Sequence, residues 1–213
     1  GAASDVVGIK ALAGNLTIDS GSKLYMDYNS VSSGGALNVA GNITNNGIIS
    51  LGFAVGDDLK LGGNLNNTGT FNGNNRAVFF TKNGTQTISS TSALTIPYIV
   101  FAPISGATTV QLLNDLTVSA ILAGNAISFN SSLDVFDLNG NTLTIGTANV
   151  GNVITGSGSF KGSSTSNLTL LGNGSIGTLN FTSGAQTLNN LTINRSSGAI
   201  GTSLGTDLLI TTA

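Results

Sequence analysis

The stretch Asp58-Leu59-Lys60-Leu61-Gly62-Gly63 contains the unit that decides the fold of this chain. Two leucines flank a lysine, so in an extended strand the leucines point to one side and Lys60 points to the other. An aspartate before the strand and two glycines after it are residue types that turn a chain sharply. We therefore predict a short strand with a buried apolar pair, bounded by tight bends.

The same apolar-x-apolar triplet recurs ten times, with starts on average about 21 residues apart. The triplets are Leu16-Thr17-Ile18, Leu37-Asn38-Val39, Leu59-Lys60-Leu61, Val78-Phe79-Phe80, Ile99-Val100-Phe101, Leu116-Thr117-Val118, Leu143-Thr144-Ile145, Leu168-Thr169-Leu170, Leu191-Thr192-Ile193 and Leu208-Leu209-Ile210. A unit of this length cannot enclose a core alone and must stack on its neighbours. The sequence predicts an all-β fold, a right-handed parallel β-helix (β-solenoid) of about ten coils with roughly 21 residues per coil. At ~4.8 Å per coil the rod would be about 48 Å long.

Asparagine or aspartate stands directly before six of the ten triplets, where its side chain can hydrogen-bond the backbone of a corner. We expect the ten triplets to stack in one register with their apolar pairs in the core. The core positions predicted in this way are Leu16, Ile18, Leu59, Leu61, Ile99, Phe101, Leu116, Val118, Leu143, Ile145, Leu191 and Ile193.

Composition excludes several classes of structure and function. Only 8% of the residues are charged and 40% are hydrophobic, which disfavours a disordered chain, and abundant Gly, Asn, Ser and Thr disfavour helix. The net charge of −2 with no basic cluster argues against nucleic acid as a partner. No apolar run has the ~20 residues of a spanning helix, so we expect no membrane insertion of this segment. Histidine and cysteine are absent, which removes Ser-His-Asp and Cys-His triads and the usual zinc sites.

A longer repeat lies over the short one. Residues 99–118 align without gaps to residues 191–210, and a Gly-x-Gln-Thr element precedes each block at residues 84–87 and 184–187. We interpret residues 1–213 as a single solenoid segment with two related modules, approximately 58–120 and 143–213, and extra N-terminal coils at 14–57.

Several motifs also resemble a known group of proteins. They are GNITNNG (residues 41–47), LGGNLNNTGTFNG (61–73), NGTQTIS (83–89), LLNDLTVS (112–119), LDVFDLNGNTLTIG (133–146) and ITGSGSFKG (154–162). Their order resembles the repetitive β-helix regions of large Bacteroidota surface and adhesin-like proteins, which the type IX secretion system exports. The resemblance implies an extracellular or outer cell-surface location and contact of the parent protein with that secretion machinery. It carries no catalytic residues to this chain.

Carboxylates are the remaining candidates for chemistry, in the pairs Asp57 with Asp58 and Asp134 with Asp137. With Lys60 nearby, the first pair has the residue types that β-helix polysaccharide lyases and hydrolases use. Either pair could also bind calcium with backbone carbonyls, although the Gly-Gly-x-Gly-x-Asp repeat of calcium-binding solenoids is absent. Corner chemistry explains the same aspartates without a site, so we expect no catalysis, no cofactor and no metal. Their joint replacement by asparagine is then expected to leave the fold nearly intact.

Two outward-facing features remain. Phe79, Tyr98 and Val100 fall in adjacent coils and are expected to form an exposed apolar patch that contacts a loop, a neighbouring domain or a glycan. Threonines occupy the outward positions of four consecutive triplets, as in ice-binding solenoids: Thr117, Thr144, Thr169 and Thr192. Other outward positions interrupt that row with Lys60, Phe79, Val100 and Leu209, which favours an ordinary exposed sheet face.

These observations favour a structural or adhesive segment that acts as a rigid spacer or display rod. A cell-surface or extracellular glycan or protein is the expected kind of target. The alternative is a carbohydrate-active β-helix protein, which binds or cleaves a polysaccharide and needs an open groove with two or more carboxylates within reach.

Overall fold

A computed structural model describes residues 10–27, 35–196 and 201–211. This part of the chain is all-β, with no helix, and its parallel sheets stack as a β-solenoid of about 8 turns with roughly 24 residues per turn. The predicted fold class is confirmed. At ~4.8 Å per turn the stack is about 38 Å long.

The described residues form 26 strands. In chain order they are β1 (Lys10–Leu12), β2 (Leu16–Ile18), β3 (Lys23–Tyr25), β4 (Leu37–Val39), β5 (Ile43–Asn45), β6 (Ile48–Ser50), β7 (Leu59–Leu61), β8 (Leu65–Asn67), β9 (Thr70–Asn72), β10 (Ala77–Phe80), β11 (Gly84–Ser90), β12 (Leu94–Ile96), β13 (Tyr98–Phe101), β14 (Thr108–Leu112), β15 (Leu116–Val118), β16 (Gly124–Ser128), β17 (Val135–Asp137), β18 (Thr142–Ile145), β19 (Asn152–Thr155), β20 (Ser159–Lys161), β21 (Asn167–Asn173), β22 (Gly177–Leu179), β23 (Thr187–Leu188), β24 (Asn190–Ser196), β25 (Thr202–Leu204) and β26 (Leu209–Ile210).

Each complete turn contributes one strand to each of three faces. Face 1 is the sheet β1-β4-β7-β10-β13-β16-β19, and face 2 is the sheet β2-β5-β8-β11-β14-β17-β20. Face 3 consists of the sheet β3-β6-β9 followed by the sheet β12-β15-β18-β21-β24, with β9 in contact with β12. Near the C-terminal end β22 pairs with β25 and β23 pairs with β26.

The count of ten coils and the period of 21 residues were wrong, because the triplets do not all lie on one face. Leu59 pairs with Leu37 and Val78 on face 1, whereas Leu116 pairs with Leu94 and Leu143 on face 3. The step from the triplet at Ile99 to the one at Leu116 therefore crosses from face 1 to face 3 within one turn. The two module boundaries are not distinguished by this topology and stay a prediction.

Most of the predicted core positions are buried, and aromatic rings extend the core along the rod. Phe101, Phe136, Phe160 and Phe181 follow one another with ring centroids 5.8 to 6.1 Å apart, and Phe129 packs 4.6 Å from Phe101. Such stacked, tilted and edge-to-face pairs add to the free energy of apolar burial.

Ile193 is the predicted core position that the structure contradicts, with 47% of its surface exposed. Its strand β24 is the last strand of face 3 in the described residues, so a neighbouring strand covers it on one side only. Leu191 in the same strand and Leu16 in β2 are partly buried and pack against the core.

The corner between faces 1 and 2 is held by a ladder of asparagines. Asn15 Oδ1 accepts the backbone N–H of Asn42 at 2.8 Å, and Asn42 Oδ1 accepts that of Asn64 at 2.8 Å. Asn64 Oδ1 in turn accepts the N–H of Thr87 at 2.9 Å. Each side chain thus satisfies a backbone donor in the next turn. The sequence predicted this corner role for Asn15, which precedes a triplet.

Small residues at this corner allow the turns to approach. A Cβ atom placed on Gly63 would lie 2.4 Å from the backbone carbon and oxygen of Gly41, which is far inside van der Waals contact. The equivalent Gly14, in the first described turn, has nothing within 4 Å of such an atom.

We therefore expect Gly63→Ala to destabilise the fold by about 1–3 kcal/mol, because the backbone of an adjacent turn must move. Gly14→Ala is the matched control and should change stability by less than ~0.5 kcal/mol. Denaturant melts of both variants measure the difference. Equal effects would contradict the close packing of these corners.

The inward and outward sides of one strand provide a second test. Leu143 is fully buried and Thr144 points outward on β18. Leu143→Asp should cost about 3–5 kcal/mol because it buries an unpaired carboxylate, and Thr144→Ala should cost less than ~1 kcal/mol. Thermal unfolding followed by circular dichroism measures both; a larger loss for Thr144→Ala would mean that the strand faces are reversed.

Candidate functional site

The predicted carboxylate candidates are hydrogen-bonded to the backbone. Asp57 is fully buried, and its two oxygens accept the N–H groups of Gly35 at 2.7 Å and Ala54 at 3.0 Å. Asp58 Oδ1 accepts the N–H of Ala77, in the next turn, at 2.8 Å. Both side chains therefore fix the chain around the start of β7.

Asp134 is held in the same way as Asp57. It is fully buried, its Oδ1 accepts the N–H of Thr108 at 2.9 Å, and its Oδ2 accepts those of Asn130 and Ser131 at 2.9 and 2.8 Å. In both loops the carboxylate binds the N–H three residues before it and one in the preceding turn. This arrangement joins a loop to its neighbouring turn and uses both carboxylate oxygens.

Asp137 lies at the end of β17 and forms the ion pair with Lys161, at 2.9 Å from Nζ to Oδ2. Gln111 Nε2 donates to the same oxygen at 3.0 Å, and the N–H of Asn139 donates to Oδ1 at 3.0 Å. Gln111, Asp137 and Lys161 are register partners on successive strands of face 2. The carboxylate thus links three adjacent turns.

The two aspartate pairs are not brought together. Asp57 and Asp58 precede a strand of face 1, while Asp134 and Asp137 flank a strand of face 2. In residues 10–27, 35–196 and 201–211, no group of three or more Asp, Glu, His or Cys side chains is placed to hold a metal ion. Backbone N–H groups, which are donors, surround these carboxylates and do not suit a cation.

The apolar trio Phe79, Tyr98 and Val100 does lie together on the outer side of face 1. Phe79 is the register partner of Val100, and Tyr98 is the partner of Ala77. The Tyr98 hydroxyl accepts the N–H of Leu122 at 3.0 Å, which places this ring against the loop that precedes β16. Lys60 Nζ lies 5.9 Å from the centroid of the Phe79 ring, within the range of a cation–π contact.

A groove on the outer side of face 1 lies beside this trio, and sequence reasoning missed it. Its volume is about 810 Å³. The residues that line it come from five successive turns: Ala11, Leu12, Ala13, Asn38, Val39, Ala40, Lys60, Gly62, Thr81, Lys82, Asn83, Ile104 and Ser105. We call this feature the face 1 groove.

Loop lengths explain why the groove forms here. The connections from face 1 to face 2 have three residues in the first three turns, at 13–15, 40–42 and 62–64, and are built mainly from Ala, Gly and Asn. The connection at 102–107 has six residues and carries Ile104, which is 94% exposed. The three-residue connections project less from the surface than the six-residue loop beside them, which leaves a depression that runs across the turns.

The outward threonines form an unbroken row, and the interruption expected from the sequence was wrong. Thr95, Thr117, Thr144, Thr169 and Thr192 are register partners on five adjacent strands of face 3. Lys60, Phe79 and Val100 lie on face 1 instead. Within the described residues none of the five hydroxyls makes an intramolecular hydrogen bond, so the row is available to water.

Arg195 is a buried cation whose partners are all neutral. Its guanidinium donates to the carbonyls of Gly174, Leu171, Asn152 and Asn173 and to Asn152 Oδ1. Burial lowers the pKa of Arg195 from its usual value. These five contacts join the turn of β19 to the ends of β21 and β24 and are structural.

Comparisons with protein-family models, with curated proteins and with solved structures find no match to this chain. Among the described residues there is no helix long and apolar enough to cross a membrane.

An aspartate with one hydrogen-bonded carboxylate oxygen should tolerate replacement by asparagine better than an aspartate with two. Asp134→Asn should cost about 1–3 kcal/mol, because an amide nitrogen would face a backbone donor in a buried loop. Asp115 uses only Oδ1, which accepts the N–H of Thr142 at 2.8 Å, so Asp115→Asn keeps its acceptor and should cost less than ~0.5 kcal/mol. Urea unfolding of both variants decides. No loss in Asp134→Asn would restore the sequence-based expectation that these aspartates are dispensable.

Proposed function

We propose that this chain is a structural or adhesive segment of a secreted or cell-surface bacterial protein, acting as a rigid spacer or display rod. The observation that carries the proposal is the unbroken stacking of faces 1 and 2, each of which runs through seven strands without a gap. In such a stack each turn contacts only its neighbours, so added turns lengthen the rod and leave the rest unchanged.

The use of the polar groups supports the same proposal. The carboxylates of Asp57, Asp58 and Asp134 bind backbone donors, and Asp137 joins neighbouring turns on face 2. Carboxylates with these partners hold neighbouring turns together. They are poorly placed to act as a proton donor and acceptor on either side of a substrate.

We also propose an extracellular location and export of the parent protein by type IX secretion in a Bacteroidota cell. The support is the order in which the Asn- and Gly-rich motifs follow one another along the chain. One of them is LGGNLNNTGTFNG at residues 61–73. Protease shaving of intact cells that produce the parent protein tests the location. Release of peptides from this segment is expected, and protection until the cells are lysed would overturn it.

The second candidate is a carbohydrate-active β-helix protein. The face 1 groove favours a protein that binds a polysaccharide over one that cleaves it. Cleavage is the less favoured form, because the described residues that line the groove include no carboxylate. Incubation with a panel of acidic and neutral polysaccharides, followed by assay for new reducing ends or unsaturated products, separates binding from cleavage. We expect no product above the control without protein.

Deletion of whole turns tests the rod. Leu59 pairs with Val78, and Val78 pairs with Ile99. Removing residues 59–98 therefore joins Asp58 to Ile99 and places Ile99 at the position that Leu59 had in the sheet. The variant should remain folded and be shorter by about 10 Å, because two strand spacings are lost from each face. Small-angle X-ray scattering measures the maximum dimension. A matched deletion of residues 59–88, which ends out of register, should fail to fold; equal folding of both would contradict the proposal.

A further inference from the structure

We propose that the face 1 groove binds a linear anionic polysaccharide, with the polymer lying along the axis of the solenoid. This binding rests on the second candidate function, and the proposed rod does not depend on it, because Lys60 and Lys82 are exposed and lie outside the core. The inference rests on the direction of the groove, on its charge and on the chemistry of its lining.

The direction of the groove suits an extended ligand. Ala11, Asn38 and Lys60 are register partners on β1, β4 and β7, so they form a straight outward row across three turns. Thr81, Lys82 and Asn83 continue the groove in the fourth turn, and Ile104 and Ser105 border it in the fifth. At ~4.8 Å per turn this path is about 19 Å long, which suits several units of a polymer and exceeds one small molecule.

The charge of the groove is opposite to that of the whole chain. Lys60 and Lys82 are exposed and are the two charged residues among those that line it. In the described residues neither ammonium has an ion pair, and no carboxylate lines the groove, although the chain carries a net charge of −2. Two uncompensated cations on consecutive turns favour a ligand with regularly spaced carboxylates or sulfates.

The remaining lining suits sugar rings. Leu12 and Ile104 offer exposed apolar surface, and Phe79 extends the row of Lys60 on the same face. Asn38, Asn83, Thr81 and Ser105 supply amide and hydroxyl groups for hydrogen bonds with sugar hydroxyls. Asn38 Oδ1 is buried and has no hydrogen-bond partner in the described part of the chain, so a polar group beneath the groove is unsatisfied.

An acidic peptide fits less well. A peptide normally docks on a β-sheet through its backbone at an open strand edge. Of the strands that line the groove, β4 and β7 are paired on both sides, so their backbone groups are already used. The third, β1, is the first strand of its sheet in the described residues, and a peptide paired with its edge would lie along that strand and across the groove. A polysaccharide has no backbone amides and needs only the side-chain groups that the groove presents. Nucleic acid would need more cations than two, since its affinity depends on the number of phosphates neutralised.

The test is isothermal titration calorimetry of the 213-residue chain at low ionic strength with polygalacturonate. We expect measurable binding that weakens as salt is added. Fully methyl-esterified polygalacturonate has the same backbone without the charge and should bind at least about tenfold more weakly. Poly-L-glutamate should also bind at least about tenfold more weakly than polygalacturonate. Equal or tighter binding of poly-L-glutamate would contradict a polysaccharide ligand and favour an acidic peptide.

Matched lysine variants locate the site. The double variant Lys60→Gln/Lys82→Gln should weaken polygalacturonate binding by about tenfold or more, with unchanged circular dichroism and melting temperature. Lys23→Gln removes one exposed charge from face 3 and should change binding by less than about twofold. No binding to the native chain, unchanged binding by the double variant, or an equal loss in Lys23→Gln would each overturn the proposal.

Crosslinking keeps the test independent of how the variants fold. Carbodiimide couples uronate carboxylates to nearby lysine amines, and peptide mapping by mass spectrometry then identifies the modified lysines. Modification of the native chain should concentrate at Lys60 and Lys82. Modification spread evenly over these two and Lys23 would indicate non-specific attraction and would contradict a site in the groove.

Discussion

Backbone hydrogen bonds between successive parallel turns hold every part of this solenoid together. A strand of three residues buries too little surface to be stable alone, so each turn relies on the turn before it and the turn after it. Any residue that prevents adjacent turns from approaching is therefore costly. Gly63 packs directly against the backbone of Gly41. The side-chain oxygen of Asn42 accepts the N–H of Asn64 in the next turn.

The same constraint explains the role of the buried aspartates. A loop that leaves the sheet exposes backbone N–H groups that must find acceptors when they are buried. Asp57 and Asp134 meet that need in two loops at different corners, each with both oxygens. A carboxylate that satisfies several donors is a structural element, and its position in a loop is not evidence of catalysis. The face 1 groove and the threonine row of face 3 both lie on the outer surface.

The strand unit and the fold class could be predicted from the sequence, because alternation in Leu59-Lys60-Leu61 and the corner asparagines are local signals. The assignment of triplets to faces could not, since Ile99 and Leu116 begin similar triplets on different faces of one turn. The roles of Asp58 and Asp115 at corners followed from turn chemistry. The groove had no local signal, because residues from five turns form it and a six-residue loop at 102–107 gives it depth.

Pairwise disulfide formation measures the register of the stacked turns directly, since the chain has no cysteine of its own. Thr117 and Thr144 are register partners on face 3, so their Cα atoms should be about 4.8 Å apart, within the range that a disulfide spans. The double variant Thr117→Cys/Thr144→Cys should oxidise rapidly to an intramolecular disulfide. Thr117→Cys/Thr169→Cys, whose positions are two turns apart, should remain reduced under the same conditions. Oxidation of the second pair in preference to the first would contradict the account.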